Sequence, residues 1–131
     1  MTGPIYALGI GCERGCDWHE VLDLADGVLH AVGITAADVS CVCSIDQRKS
    51  EPALVQTAER LGLPVRCFSA DVLEQQTPRL LNPSERVFAL TGCHGVAEAA
   101  ALVAVGPDGI LVIGKTKSAH ATAALAVKRQ A

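Results

Sequence analysis

Ile5-Tyr6-Ala7-Leu8-Gly9-Ile10 runs directly into Gly11-Cys12-Glu13-Arg14-Gly15, and a helix start follows at Asp17. The first six residues read as a buried first strand, and the glycines read as the loop that ends it. Asp17 has the side chain of an N-cap, and Glu20 three residues on completes the pattern of a capping box. Trp18, Val21, Leu22, Ala25, Val28, Leu29 and Val32 then recur at the helical period until Gly33 stops it. A buried strand, a glycine turn and an amphipathic helix form the opening unit of an α/β fold.

The unit repeats down the chain. Val39 to Ile45 reads as the second strand, with Asp46 just past its end. Ser50 starts a helix whose apolar face is Leu54, Val55, Ala58 and Leu61, closed by Gly62. Val65 to Phe68 is a short third strand, and Ser69 caps a brief helix through Leu73. Glu74 to Leu81 is polar, contains Pro78 and is expected as an exposed loop. Asn82-Pro83-Ser84-Glu85 then offers an N-cap, a proline at the first helical position and a glutamate at the third. The helix that follows passes through Val87, Phe88 and Leu90 to Gly92, and an alanine-rich helix runs from Val96 to Val105. Ile110 to Ile113 is the fourth strand, while Thr122 to Val127 reads as a strand whose alanines also permit a helix. The expectation is one α/β domain over residues 1–131, with three α/β/α layers and a mixed, mostly parallel sheet of about five strands.

Composition narrows the function. The chain has 131 residues, half of them apolar, so it can bury a sizeable core. Its aromatics are few (Tyr6, Trp18, Phe68 and Phe88), too few for a base-stacking platform, and a net charge of −3 gives no electrostatic footprint for nucleic acid. No apolar run approaches the ~20 residues needed to span a bilayer, and Met1-Thr2-Gly3-Pro4 lacks the regions of a signal peptide, so a cytoplasmic protein is expected. The six cysteines form no CxxC pair. Cys41, Cys43 and Cys67 read as small apolar strand residues. Cys12, Cys16, Cys93 and His94 have the chemistry of zinc ligands but not the tight spacing, so reduced thiols and no metal or cofactor are expected.

Ligands of such sheets bind beyond the carboxyl ends of the strands. Gly11, Asp46 and Lys115 are all expected there. Lys115-Thr116-Lys117, with Thr122 shortly after, sets two ammonium groups behind an apolar run in an acidic chain. Each offers three donors and a full charge to carboxylates or phosphates; the other reading is surface charge closing a hairpin. Gly9, Gly11, Cys12 and Gly15 line a loop able to offer backbone N–H groups to an anion, with Arg14 as a guanidinium fork. The other reading is a tight strand-to-helix turn. Asp46 and Lys49 form a charged loop, in which Asp46 has the chemistry of a general base; His94 is the second catalytic candidate, as acid or base. Gly92 joins the ligand-binding set.

Four motifs now appear in order. They are Gly9 to Gly15; Ser44-Ile45-Asp46-Gln47-Arg48-Lys49-Ser50-Glu51; Asn82-Pro83-Ser84-Glu85 with Gly92 and Gly95-Val96-Ala97-Glu98-Ala99-Ala100-Ala101-Leu102; and Lys115-Thr116-Lys117 with Thr122. Together they resemble the cobalamin biosynthesis family of CobE and the C-terminal domain of CbiG. Family members usually carry a basic residue where Glu13 stands, and Thr or Ser where Cys16 stands. The resemblance implies a part in building the corrin ring, with a precorrin-type tetrapyrrole as ligand and other corrin-pathway enzymes as partners. It implies either a carrier or accessory subunit, or a hydrolase that opens the ring lactone of a cobalt-precorrin. A generic phosphate- or nucleotide-binding domain is the third reading.

Overall fold

Every expected strand is present in the computed structural model, which describes residues 3–129. Met1, Thr2, Gln130 and Ala131 lie outside the described residues, and with them the two ends of the expected domain. The strands are β1 (Ile5–Cys12), β2 (Val39–Ile45), β3 (Val65–Phe68), β4 (Ile110–Lys117) and β5 (Ala121–Lys128). The helices are α1 (Trp18–Ala31), α2 (Pro52–Leu61), α3 (Ala70–Glu74), α4 (Glu85–Thr91) and α5 (Ala97–Val105). The sheet order is β3-β2-β1-β5-β4; β1–β2 and β2–β3 pair parallel, and β5 runs antiparallel to both β1 and β4. All strands but β5 therefore share one direction, and their carboxyl ends meet at one edge.

Alternate residues of the central strands go to opposite faces. Leu8, Ile10, Val42, Ala123 and Leu125 pack against Val21, Ala25, Val28 and Leu29 of α1 and Ala53, Leu54 and Ala58 of α2. Ala7, Cys41, Cys43, Ile45 and Ala126 pack on the other side, against Ala99, Ala100, Ala101, Leu102 and Val105 of α5 and Leu73 of α3. These are the three expected layers. The α5 layer approaches very closely, because a Cβ on Gly9 would stand 1.9 Å from the Ala97 carbonyl oxygen. That contact pins the first turn of α5 over the end of β1. No helix among the described residues is long and apolar enough to cross a membrane.

Boundaries differ from the expectation where long-range partners intervene. Gly9 and Gly11 belong to β1, paired with Ala124 and Thr122 of β5, so the loop begins only at Glu13. Likewise β4 continues through Lys117 and carries the two lysines within the hairpin. The alanine-rich Ala121–Lys128 is a strand because it is paired on both sides, and sheet context overrides the helix propensity of alanine.

Two caps move, and one capping box does not close. Asp17 accepts from the His19 N–H as expected, but Glu20 does not close the capping box. Its carboxylate instead takes hydrogen bonds from the Ser118 hydroxyl and, at 2.6 Å, the His120 N–H. Glu51 rather than Ser50 precedes α2, with Pro52 at its start. Ser84 rather than Asn82 caps α4, its hydroxyl accepting from the Val87 N–H, because Asn82 is committed to Glu98. Glu74 to Leu81 is no simple exposed loop: it ends α3, forms a 3-10 turn at Thr77–Arg79 and is largely half-buried.

Candidate functional site

The carboxyl edge of the sheet collects the β1–α1 loop, the loop after β2, the segment leading into α5, and the β4–β5 turn. Lys117 pairs with Thr122, and Thr122 pairs with Gly11. Residues paired directly across strands share a face, so these three form a row across β4, β5 and β1. A Cβ on Gly11 would meet Thr122 Oγ1 at 2.6 Å and Val96 Cβ at 3.4 Å, which puts the row on the α5 side, in front of that helix's first turn. Val96 is the N-cap of α5 and makes no side-chain cap bond. Among the described residues the N–H groups of Ala97, Glu98 and Ala99 meet no protein acceptor. A helix start in this state carries partial positive charge and suits a carboxylate or phosphate.

The lysines add full charge beside it. All four ion pairs among the described residues are made by histidines, which leaves Lys115 and Lys117 without a carboxylate partner there. Lys117 is exposed and Lys115 is half-buried. The Lys115 backbone N–H bonds to Glu98 Oε2 at 2.8 Å. Glu98 is 3% exposed and also accepts from Leu81 N (3.0 Å), Asn82 N (3.0 Å) and Asn82 Nδ2 (2.8 Å). Burial alone would raise its carboxyl, but these four hydrogen bonds outweigh it and hold the group below the ordinary carboxylate value. Glu98 is thus a structural staple joining α5, β4 and residues 81–82. The sequence offered only its place in a first helical turn.

The first glycine loop is built differently from the anion cradle that its composition suggested. Gly15 has φ +78°, in a turn closed by Cys16 N–H to Glu13 O, and its own N–H lies 3.3 Å from each carboxylate oxygen of Glu51. The Glu13 N–H bonds to His120 O. An internal carboxylate therefore takes the Gly15 donor, backbone carbonyls take those of Glu13 and Cys16, and the uncapped donors of α5 lie at its start. Gly9 is buried beneath α5, and its lack of a side chain is a packing requirement. Gly92 is the left-handed stop of α4, with φ +85°. Arg14 is exposed at the loop tip.

The catalytic candidates lie in the turn after β2 and in the segment between α4 and α5. Asp46 and Lys49 are exposed in a 3-10 turn after β2, and the Asp46 side chain has no hydrogen-bond partner among the described residues. Arg48, beside them, donates from Nε to Cys12 O at 2.8 Å and fixes the end of β1. Cys12 is a neutral thiol, pushed up to about 12 by burial and then by the Glu51 and Cys16 charges, against a smaller pull from Arg48. His94 has both ring nitrogens engaged: Nδ1 lies 2.8 Å from Glu74 Oε2, and Nε2 lies 3.1 Å from Glu85 Oε2. Its ring also stacks on Phe88 at 4.4 Å. The Glu74 hydrogen bond raises the His94 pKa, and the same bond lowers that of Glu74. A general base needs a free nitrogen in reach of substrate, and His94 here clasps α4 to α3.

Among the described residues no three His, Cys, Asp or Glu side chains gather to hold a metal. Two shallow grooves, about 330 and 420 Å³, surround Arg79 at the far end of α5 and contain none of the predicted site residues.

Residues 6–126 match the family model described as cobalamin synthesis G C-terminus. The chain belongs to that family. It is 49% identical over 125 residues to Protein CobE of Sinorhizobium sp, covering 95% of this chain and 81% of that protein. It is 29% identical over 123 residues to a cobalt-precorrin-5A hydrolase of Priestia megaterium, where it spans only 32% of the longer chain. The crystal structure of CobE, a protein from the cobalamin (vitamin B12) biosynthetic pathway, superposes with a TM-score of 0.87 at 37% identity, covering 95% of this chain and 90% of that one. A cobalamin biosynthesis protein G homolog from Sulfolobus solfataricus shares the fold, with a TM-score of 0.75 at 23% identity; this chain covers 37% of it. Membership in this family makes the chain a cobalamin biosynthesis protein with the α/β fold described above.

Proposed function

We propose that this domain binds a precorrin-type polycarboxylate tetrapyrrole at the carboxyl edge of its sheet and acts as a carrier or accessory subunit of corrin synthesis in the cytoplasm. The observation that carries this reading is the row Lys117–Thr122–Gly11 in front of the uncapped first turn of α5. With Lys115 nearby, it combines ammonium groups that have no carboxylate partner among the described residues, a hydroxyl and backbone donors, the chemistry that holds acetate and propionate arms. Other corrin-pathway enzymes are the natural recipients of a carried intermediate.

The hydrolase relative supports a second reading, in which the domain opens a ring lactone. Against it, His94 is held at both nitrogens, and among the described residues Asp46 has no partner to orient it as a base. An anaerobic absorbance titration with mid-pathway precorrins, with uroporphyrin as the polycarboxylate control, tests both. The carrier reading expects saturable binding that Lys117→Ala weakens about tenfold and Lys115→Ala/Lys117→Ala weakens further, the loss of one charged contact each. A spectral change that continues with time, and is abolished in Asp46→Ala, would establish the hydrolase instead. Affinity for phosphates with none for tetrapyrroles would favour the generic anion-binding domain.

A further inference from the structure

The proposed site gathers charge, yet a tetrapyrrole also presents a broad apolar ring. Two exposed apolar stretches flank the carboxyl edge: Leu81, 63% exposed beside Gly114, and the helix α4. The helix contributes no buried residue to the core, while Phe88 is 42% and Leu90 71% exposed, with Ala89 exposed between them. Helices of this fold otherwise bury their apolar side chains, as α1, α2 and α5 do. A helix whose apolar residues face water, rather than the core behind it, fits a surface that a ligand covers.

Its anchors set where it stands. Before it, Asn82 is fastened to Glu98 at the start of α5. After it, the Thr91 carbonyl accepts from Gln47 in the loop beyond β2, and the Ser84 N–H bonds to His94 O. Residues 82–94 therefore cross the carboxyl edge from the β4 side to the β2 side, flanking the first turn of α5. Arg86 on α4 and Lys49 beyond β2 supply exposed positive charge, the one carboxylate of α4, Glu85, is paired with His94, and Asp46 beside Lys49 is an exposed carboxylate that the arms of a polyanion must avoid.

Resting on the tetrapyrrole reading above, we propose that α4 is the apolar wall of the ligand site. Ala89 and Leu90, which share a helix face with Arg86 at the i+3 and i+4 positions, lie against the apolar face of the macrocycle while its carboxylate arms reach Lys117 and the start of α5, and Arg86 takes an arm at the outer rim. Phe88 stacked on His94 sets the angle of the wall, and Leu90 is its free contact.

The test is the anaerobic precorrin titration repeated at two salt concentrations with Leu90→Ser, Leu90→Ser/Ala89→Ser and Lys117→Ala. Leu90 and Ala89 are exposed, so their serine variants fold as the parent does, and far-UV circular dichroism verifies it. Each buried apolar side chain is expected to account for about a tenfold change in affinity. Leu90→Ser should therefore weaken binding about tenfold with its salt dependence intact, whereas Lys117→Ala should weaken it with a flatter salt dependence. Unchanged affinity in both serine variants, with a wild-type protein that binds, overturns the apolar wall and leaves the carrier reading standing. A wild-type protein that binds no precorrin sinks the carrier reading and the wall with it.

Discussion

The seam between α5 and β1 and the helix α4 are only a few residues apart in sequence and opposite in construction. In the seam, alanines and Gly9 bring backbone against backbone, and a single added methyl would collide with the Ala97 carbonyl. In α4, no residue is buried, and the helix is held by its ends and by one histidine. The seam is a platform that sets where the start of α5 points. The helix, with no buried residue, adds little to that platform. Under the carrier proposal, such a pairing of a fixed platform with a lightly held helix would serve uptake and release, since local stability need not be uniform across a fold.

The most severe way to break this contrast is Gly9→Val. Its side chain would meet backbone that cannot move aside, so a stability loss of about 3 kcal/mol, or failure to fold, is expected in a urea titration. Glu98→Ala comes next. It strands the donors of Leu81, Asn82 and Lys115, at a cost of about 2–3 kcal/mol. Because the folded pKa of Glu98 lies below the ordinary carboxylate value of 4.5, its contribution is present above that pH and is lost as pH falls through the folded value. The gap between wild type and Glu98→Ala in urea should accordingly close in acid.

His94→Ala sharpens the contrast from the other side. Trypsin should cut at Arg86 several-fold faster, with the urea midpoint of the whole domain unmoved, because the lost side-chain ties, to Glu74 and Glu85, join α4 to α3 outside the buried core. In the wild type the raised His94 and the lowered Glu74 together make the clasp complete between about pH 4.5 and 6.5, their ordinary values. As pH climbs through the folded His94 value the clasp loosens, and cleavage at Arg86 should speed up. A rate that falls over that range would contradict it. An equal effect of His94→Ala on the urea midpoint would show that α4 belongs to the core after all.

The fold was legible because its cause is local and repetitive: strands buried on both faces are runs of Val, Ile, Leu and Ala, and the helices carry their stops at Gly33, Gly62, Gly92 and Gly106. The row of Lys117 and Thr122 was legible as a cluster, though not as a row, since register is set by pairing partners. What the local pattern hides is how donors and acceptors are spent over distance. The Gly15 N–H goes to Glu51, 36 residues on, and the His94 ring goes to Glu74, 20 residues back. Those two commitments turn an apparent anion cradle into an occupied turn and an apparent catalytic base into a clasp. The free donors at Ala97 to Ala99 left a faint trace: Val96 stands where a capping Ser, Thr, Asp or Asn would be expected, and a helix without that side chain leaves its first turn open.

Glu98 has a mechanical meaning as well. The same two oxygens grip Asn82, where the crossing segment begins, and Lys115, in the strand that carries both lysines. The root of the segment and the lysine-bearing strand are thereby one rigid piece, and any swing of α4 pivots beyond that root. The distance from the lysine-bearing strand to the root of the apolar wall is then set by one buried side chain.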